Sequence, residues 1–281
     1  MISHTRVALP DHEIRDFSTE PDFEACLALQ EHTWGPGFNE RVPRAILRTA
    51  QRLGGVAAGA FTPAGRLDGF IFGMTGWRDA APIHWSDMLA VRPEARDRGL
   101  GEALKRYQRD VLLGRGVVDV EWTFEPLESR NAHINFGRLG VVARQYVRDY
   151  YGGSDSPLHE GLGTDRLVVH WRLDDRRVED RLAGRSSPPT LADVRDVAVI
   201  NPVRMVEGII ACDDARTDLD ADRLLLAIPA SVQRVRAADP VLVTRWRAVV
   251  RAGFEAYLRR GWQVSDVVRS GEWSAYVLER G

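Results

Sequence analysis

The stretch Asp87-Met-Leu-Ala-Val-Arg-Pro-Glu-Ala-Arg96-Asp-Arg-Gly99-Leu-Gly101-Glu-Ala-Leu104 decides the expected fold. Its first part is apolar and predicts a strand, which runs into a glycine-bearing loop and then directly into a helix. The first backbone N–H groups of a helix have no intrahelical acceptor, so this end of the helix attracts anions. Arg96 and Arg98 add positive charge beside these groups. We therefore expect an anionic ligand at this loop.

Neither of the two commonest phosphate-binding loops fits this stretch. The P-loop of nucleoside triphosphatases needs a lysine directly after its last glycine, but the only lysine of the chain, Lys105, lies inside the predicted helix. The dinucleotide-binding fingerprint needs a third glycine, and Leu104 stands at its position. The loop therefore belongs to another class of anion site.

The element order around the loop extends over most of the chain. It is predicted as a strand, two helices, a strand hairpin, the strand and helix of the loop, one more strand, a short helix and a final strand pair ending near Leu173. Gly184-Arg-Ser-Ser-Pro-Pro189 is the strongest linker signal. We expect a first domain over 1–178, a linker over 179–189 and a smaller α+β domain over 190–281.

Composition and charge argue against several classes of protein. The 38 basic and 40 acidic residues give a formal net charge of −2, which argues against a protein that must neutralise a nucleic acid duplex. No apolar run approaches the roughly 18 residues of a membrane span. The N-terminus lacks a secretory signal, and Cys26 and Cys212 fit neither a disulfide scaffold nor a zinc site. We expect a cytoplasmic location, with no nucleic acid, membrane or metal bound.

The pattern Arg96-Asp-Arg-Gly99-Leu-Gly101 resembles the R/Q-x-x-G-x-G/A loop of the GNAT superfamily of acyl-CoA-dependent N-acyltransferases. The preceding Met88-Leu-Ala-Val-Arg-Pro93 has the residue pattern usual for the central strand of that superfamily. The element order also agrees with the superfamily over about residues 10 to 173. The resemblance implies an α+β fold with a mixed, mostly antiparallel central sheet flanked by helices.

The same resemblance implies acyl-CoA as the cosubstrate. Its diphosphate would rest on the loop, and its thioester would lie along the preceding strand, where the N–H of Leu89 or Ala90 polarises the carbonyl oxygen. A second match, Asn131-Ala-His-Ile-Asn-Phe-Gly-Arg-Leu-Gly140, resembles the helix beside the pantetheine arm. The expected cofactor contacts are Leu89, Ala90, Val91, Arg96, Arg98, Gly99, Leu100, Gly101, Glu102, Asn131, Asn135 and Phe136.

Four side chains are candidates for proton transfer, although each also fits an ordinary packing or surface role. Asp87 is a carboxylate in an otherwise apolar strand, which makes it the first candidate for general base, and Glu125 is the second. Phe136 stands where the superfamily often has the tyrosine that protonates the departing thiolate. His133, Tyr146 or water would then supply that proton, unless turnover has been lost.

The predicted function is transfer of an acetyl or succinyl group from acyl-CoA to the primary amine of a small molecule such as an amino acid. The amine would attack directly, since no G-x-S-x-G nucleophile motif is present and neither cysteine has a matching context. The alternative is an acyl-CoA-binding or scaffolding protein that keeps the fold without turnover. Residues 190–281 would be half of a second, degenerate domain of the same type, or a lid or dimerisation module of a homodimer.

Overall fold

The computed structural model describes residues 11–152 and 163–281. Among these residues, no helix is long and apolar enough to cross a membrane. The described residues form two compact units, which comprise 11–122 with 172–174 (unit 1) and 123–152 with 163–171 and 175–281 (unit 2). Each unit combines helices with strands that pair mostly antiparallel, so the predicted α+β class is confirmed.

Unit 1 is built on five strands in the order β1-β2-β3-β4-β5, and it ends within the last of them. The first three pairs are antiparallel, and β4 pairs with β5 in parallel. Asp79 and Ala80 both have positive φ, which suits the tight turn that joins β3 to β4. The strands are β1 (Glu13–Asp16), β2 (Val56–Phe61), β3 (Leu67–Arg78), β4 (Ala81–Val91) and β5 (Asp119–Phe124).

The helices of unit 1 cover both faces of these strands. They are α1 (Glu20–Trp34), α2 (Arg44–Arg52) and α3 (Leu100–Leu113), with a 3₁₀ turn at Pro93–Ala95. Helix α1 begins with a capping box, in which Thr19 Oγ1 accepts from Asp22 N and the Asp22 carboxylate accepts from Thr19 N. Helices α1 and α2 pack on the face of β3 that carries Phe70 and Phe72, and α3 packs on the other face.

Unit 2 contains six strands in the order β7-β6-β12-β13-β11-β8 and a separate hairpin of β9 and β10. Only β8 and β11 are parallel among the pairings described in it. A 3₁₀ turn covers Ala192–Val194 and a π-helix covers His133–Leu139. The other elements are α4 (Ser129–Ala132), β6 (Val142–Val147), β7 (Arg166–Arg172), α5 (Arg176–Leu182), β8 (Ala198–Val199), β9 (Val203–Val206), β10 (Ile209–Cys212), β11 (Arg223–Pro229), α6 (Val232–Ala238), α7 (Pro240–Leu258), β12 (Trp262–Arg269) and β13 (Trp273–Arg280).

The compact units divide the chain elsewhere than at the expected linker over 179–189. That segment overlaps α5 and lies inside unit 2, because the C-terminal strands pair with earlier ones. Val264 of β12 pairs with Ala143 of β6, and Arg181 of α5 donates to Asp266 of β12 at 2.5 Å. Residues 190–281 therefore share a compact unit with β6 and β7.

A fragment of residues 190–281 is expected not to melt cooperatively in isolation. Removing the rest of the chain exposes the edge of β12 and takes the partner Glu125 from the buried Arg247, and an unpaired buried charge costs about 3–5 kcal/mol. Phe254 of α7 also loses the ring of Tyr146, which stacks on it at 5.3 Å. A melting curve and sedimentation of the fragment, beside the full chain, measure this. A monomeric fragment with a cooperative transition would contradict the expectation.

Candidate active site

Strands β4 and β5 separate near the middle of β4. Their parallel pairing runs from Ile83 with Asp119 to Trp85 with Glu121 and then stops. At the same place β4 carries a β-bulge, since Phe72 of β3 pairs with Met88 while Gly73 pairs with Ser86. Asp87 is therefore the extra residue of the bulge. Beyond the paired residues an opening lies between β4 and Trp122 of β5. We call this opening the fork.

The bulge changes which side chains share a face of β4. Strict alternation along a regular strand would put Asp87 and Leu89 on one face, but the bulge interrupts that alternation. Leu89 pairs with Ile71, whereas Asp87 has no partner on β3 and accepts a hydrogen bond from the side chain of Trp85. Residues before and after the bulge must therefore be placed by their pairing and not by counting.

Beyond the bulge, Leu89 and Val91 point their backbone N–H groups away from β3. Arg92 N donates to Asp68 O at 2.8 Å, and in an antiparallel ladder alternate residues bond to the same neighbour. The backbone N–H of Ala90 therefore points towards β3, while those of Leu89 and Val91 point into the fork. The side chain of Arg96 donates to Val91 O at 3.1 Å from that side, which agrees with this orientation.

The loop after β4 leads into α3 without any side chain capping the helix. Gly99 is the N-cap residue with a φ of +78°, and no side-chain hydrogen bond closes this end. Ala103 N is the first amide that bonds within the helix, to Gly99 O at 3.0 Å. The amides of Leu100, Gly101 and Glu102 are therefore the open donors of this helix end. The sequence predicts an anion site at this helix end.

The two glycines of the loop serve different purposes. Gly99 is needed for its backbone, because a φ of +78° is strained for residues with a side chain. A Cβ on Gly101 would meet only Leu89 Cδ2, at the ordinary contact distance of 3.7 Å. The fold therefore does not require glycine at 101, and the space over this residue is open.

Arginines and acidic residues both stand beside the helix end. Arg96 and Arg98 are exposed, and Leu100 is buried and anchors the loop. Glu102 is the one acidic residue among the predicted contacts, and Arg106 donates to it at 2.7 Å, which offsets its charge. Among the predicted cofactor residues, Leu89, Val91, Arg96 and Gly101 are brought together here.

Asp87 is solvent-exposed, yet its carboxylate does not titrate like that of a free aspartate. Loss of hydration near surrounding protein atoms raises its pKa, and the hydrogen bond from Trp85 opposes that shift. Because the residue is exposed, we expect the net rise to be modest. A carboxylate beside the fork whose pKa is raised is a better proton acceptor than an ordinary aspartate.

A groove of about 300 Å³ runs along the β3–β4 hairpin next to this carboxylate. Trp85, whose side chain donates to Asp87, forms part of its wall. Trp77 is 77% exposed, so a large aromatic surface is open to solvent in this groove. The lining residues are Met74, Thr75, Gly76, Trp77, Arg78, Ile83 and Trp85.

Glu125, the second candidate base, lies in an ion-pair cluster of unit 2. Its Oε1 accepts from Leu127 N at 2.9 Å, and its Oε2 accepts from Arg247 at 2.5 Å. Arg166 is 3.5 Å from the same Oε2. Both carboxylate oxygens are thus engaged, which suits Glu125 to holding arginines in place.

Tyr146, a candidate acid, gives its hydroxyl proton to another group of unit 2. The hydroxyl donates to Asp165 at 2.5 Å, and Arg251 donates to both oxygens of Asp165 at 2.7 and 2.8 Å. Burial raises the pKa of Tyr146, while burial of Asp165 is outweighed by these hydrogen bonds, which lower the pKa of that carboxylate. Sequence reasoning missed Arg251 and Arg247, although two arginines at i and i+4 on an apolar helix are a usable signal.

His133 is half-buried at the start of the π-helix in unit 2. Burial and three nearby arginines lower its pKa, so the ring is neutral at pH 7. Its Nδ1 is buried and makes no hydrogen bond within the described part of the chain. A neutral imidazole with one open ring nitrogen is a weak proton donor.

The predicted pantetheine contacts lie in the same helical segment of unit 2 and differ in burial. Asn131 is exposed. Asn135 is buried, and its backbone carbonyl accepts from Val141 N at 3.2 Å. Phe136 is fully buried, edge-to-face with Phe124 and Tyr276 at 6.3 and 5.7 Å. Phe136 thus packs as a core residue of its unit.

Comparisons with known proteins gave similarities only among solved structures. No family model matches the sequence, and no curated protein matches it. The chain is similar to N-acetyltransferases of known structure. The NatC complex bound to Gag peptide and CoA gives a TM-score of 0.48 at 15% identity, covering 58% of this chain and 98% of that one.

Two further structures show similarity of the same extent. The ribosomal-protein-S18-alanine N-acetyltransferase from Escherichia coli gives a TM-score of 0.44 at 18% identity, covering 58% of this chain and 95% of that one. Ard1 from Thermoplasma volcanium gives 0.45 at 18% identity, covering 59% and 99%.

Proposed function

We propose that this protein is an acyl-CoA-dependent N-acyltransferase. The observation that carries the proposal is the uncapped N-terminus of α3, whose open amides at Leu100, Gly101 and Glu102 adjoin the β4–β5 fork. Amides and helix dipole together favour an anion such as the diphosphate of CoA. Arg96 and Arg98 would add charge to the same ligand. Asn131, Asn135 and Phe136 stay predicted contacts of the pantetheine arm.

The thioester of the bound acyl-CoA would lie in the fork. The amides of Leu89 and Ala90 are the two candidates for polarising its carbonyl oxygen. The N–H of Leu89 points into the fork and that of Ala90 points towards β3, so we assign this role to Leu89. A fixed N–H at this oxygen stabilises the negative charge that develops as the amine attacks. The acyl group would be acetyl or succinyl, which the lining of the fork does not distinguish.

Asp87 is the general base in this proposal. As the amine nitrogen bonds to the acyl carbon, its proton passes to the carboxylate of Asp87, and the C–S bond then breaks to release the thiolate. Phe136 has no proton to give, Tyr146 donates to Asp165, and His133 is neutral, so solvent would protonate the thiolate. Glu125, with both oxygens engaged, is not assigned a catalytic role.

The acceptor would be the primary amine of a small molecule that also carries an apolar or aromatic group. The groove of about 300 Å³ has the size of a small-molecule site, and Trp77, Met74 and Trp85 line it. Arg78 is among its lining residues but already pairs with Glu121 at 2.6 Å. A homodimer and a cytoplasmic location stay predictions.

A second candidate function is acyl-CoA binding without turnover, which Phe136 favours because it stands where the superfamily often has a proton-donating tyrosine. Thiol release separates the two. The protein is incubated with acetyl-, propionyl- or succinyl-CoA and a panel of amino acids, arylalkyl amines and short peptides. We expect free thiol to appear only when both acyl-CoA and an accepted amine are present. CoA binding without amine-dependent thiol release would support the binding protein instead.

A further inference from the structure

Lys105, the only lysine of the chain, is buried on the second turn of α3. Its side chain lies inside unit 1, and the residue is 5% exposed. The Nζ atom donates to Ser86 Oγ at 2.8 Å and to Gln108 Oε1 at 3.3 Å. It also lies 3.5 Å from the centre of the Trp122 ring.

Two of these contacts stand at the point where β4 and β5 separate. The last paired residues are Trp85 on β4 and Glu121 on β5. Ser86 and Trp122 are the next residue on each strand. The amine of Lys105 therefore contacts, on each strand, the first residue beyond the pairing of β4 with β5, at the apex of the fork.

A polar chain extends from Lys105 into the core of unit 1. Gln108 Nε2 is 3.0 Å from His84 Nε2, and His84 Nδ1 is 3.0 Å from Thr75 Oγ1. Thr75 in turn donates to Gly54 O at 2.9 Å. Each side chain in this series is hydrogen-bonded to the next, and the last is bonded to the carbonyl of Gly54. These contacts fix the position of the amine from the core side.

This arrangement is costly for stability. Burial lowers the pKa of Lys105, and burial together with the charges of Lys105 and Arg115 lowers the pKa of His84 to about 3. A long apolar side chain of similar volume would fill the same space without desolvating an amine. The polar group is therefore better explained by what it contacts than by stability.

We propose that Lys105 is a positioning residue that holds the apex of the fork open by contacting Ser86 and Trp122 together. This inference rests on the proposed function. With the apex fixed, the amide of Leu89 keeps its place along β4 relative to the thioester. Without the amine, β4 and β5 would pair further along, and the acyl carbon would shift from its reactive position.

Lys105→Met tests this inference, because methionine keeps the length of the side chain and removes the amine. We expect melting at or above the wild-type temperature, CoA affinity within about twofold, and kcat lower by roughly tenfold to a hundredfold, as for a misplaced reacting group. Tyr107→Phe is the matched control on the same helix. It removes the hydrogen bond from a buried hydroxyl to Asp16 at 2.9 Å, away from the fork, and should keep kcat.

Ser86→Ala removes the β4 contact alone and should also lower kcat, which keeps the inference testable if the methionine variant does not fold. Amide hydrogen exchange at Ser86 gives a readout that needs no turnover, and we expect it to slow in Lys105→Met as the strands pair. Wild-type kcat or unchanged exchange in folded variants would overturn the role of Lys105. A wild-type protein without thiol release would instead overturn the proposed function, while the exchange result still decides the role of Lys105.

Discussion

Gly101→Glu is expected to weaken CoA binding by about a hundredfold or more, equivalent to about 2.7 kcal/mol. The new Cβ would meet only Leu89 at an ordinary 3.7 Å, so the fold accepts it. A glutamate in the first turn also interacts favourably with the helix dipole, so the variant should be at least as stable as the wild type. Its carboxylate, however, would occupy the space of the diphosphate or repel its negative charge. Titration calorimetry with CoA measures the loss.

Gly101→Gln is the control for that experiment, since it adds a side chain of the same size without charge. The extra loss in the glutamate variant reports charge repulsion and should shrink as salt is added. Gly99→Asp also puts a carboxylate in the loop, but its φ of +78° mixes backbone strain with the charge effect. Wild-type affinity in a folded Gly101→Glu protein would mean that the diphosphate does not bind at this helix end.

Asp87→Asn is expected to lower turnover by roughly a hundredfold, the range of a lost general base, and to leave CoA affinity nearly unchanged. The pKa of Asp87 is raised in the folded state. At pH values above that pKa, the ionised carboxylate therefore destabilises the fold by a small amount. Removing the charge should therefore keep or slightly raise the melting temperature at neutral pH. Steady-state kinetics and a melting curve on one preparation separate chemistry from folding.

The pH profile adds a second measure of the same variant. A base with a raised pKa places the acid limb of kcat/KM above the ordinary range of an aspartate, and this limb should disappear in Asp87→Asn. Glu24→Gln, which removes an exposed carboxylate from α1, should leave the profile unchanged. If Asp87→Asn keeps full activity at every pH, Asp87 is not the base, and the amine proton leaves through water.

The loop and its neighbouring elements were predictable because their signals are local. The strand, loop and helix start expected over Asp87–Leu104 are the end of β4, the loop after it and the first turn of α3. Glycine, proline and the switch from strand to helix spacing are all encoded within a few residues. The uncapped helix end was predictable for the same reason, since it depends on one strand, one loop and one helix start.

The bulge at Asp87 was not predictable, because it depends on how β3 pairs with β4. The sequence around Asp87 reads as a regular strand, and only the register of Phe72 and Gly73 reveals the extra residue. The fork follows from the end of the β4–β5 pairing, which is also non-local. The choice between the amides of Leu89 and Ala90 therefore needed the structure.

The same reason explains the C-terminal region. Short elements such as α5 and the β9–β10 hairpin were missed because they lack a clear apolar period. The pairing of Val264 with Ala143 joins residues far apart in sequence, so a linker signal near Gly184 did not mark the edge of a compact unit. Charge partners such as Glu125 with Arg247 depend on that pairing and could not be assigned beforehand.

Backbone amide hydrogen exchange of the wild-type protein, with and without saturating CoA, tests the central claim most directly. If the diphosphate binds at the N-terminus of α3 and the thiol end enters the fork, exchange slows at Leu100, Gly101 and Glu102 and at Leu89 and Val91. Ala90, whose amide already faces β3, should change little. Binding of CoA with unchanged exchange at the helix end and along β4, or with protection confined to other elements, would contradict the account.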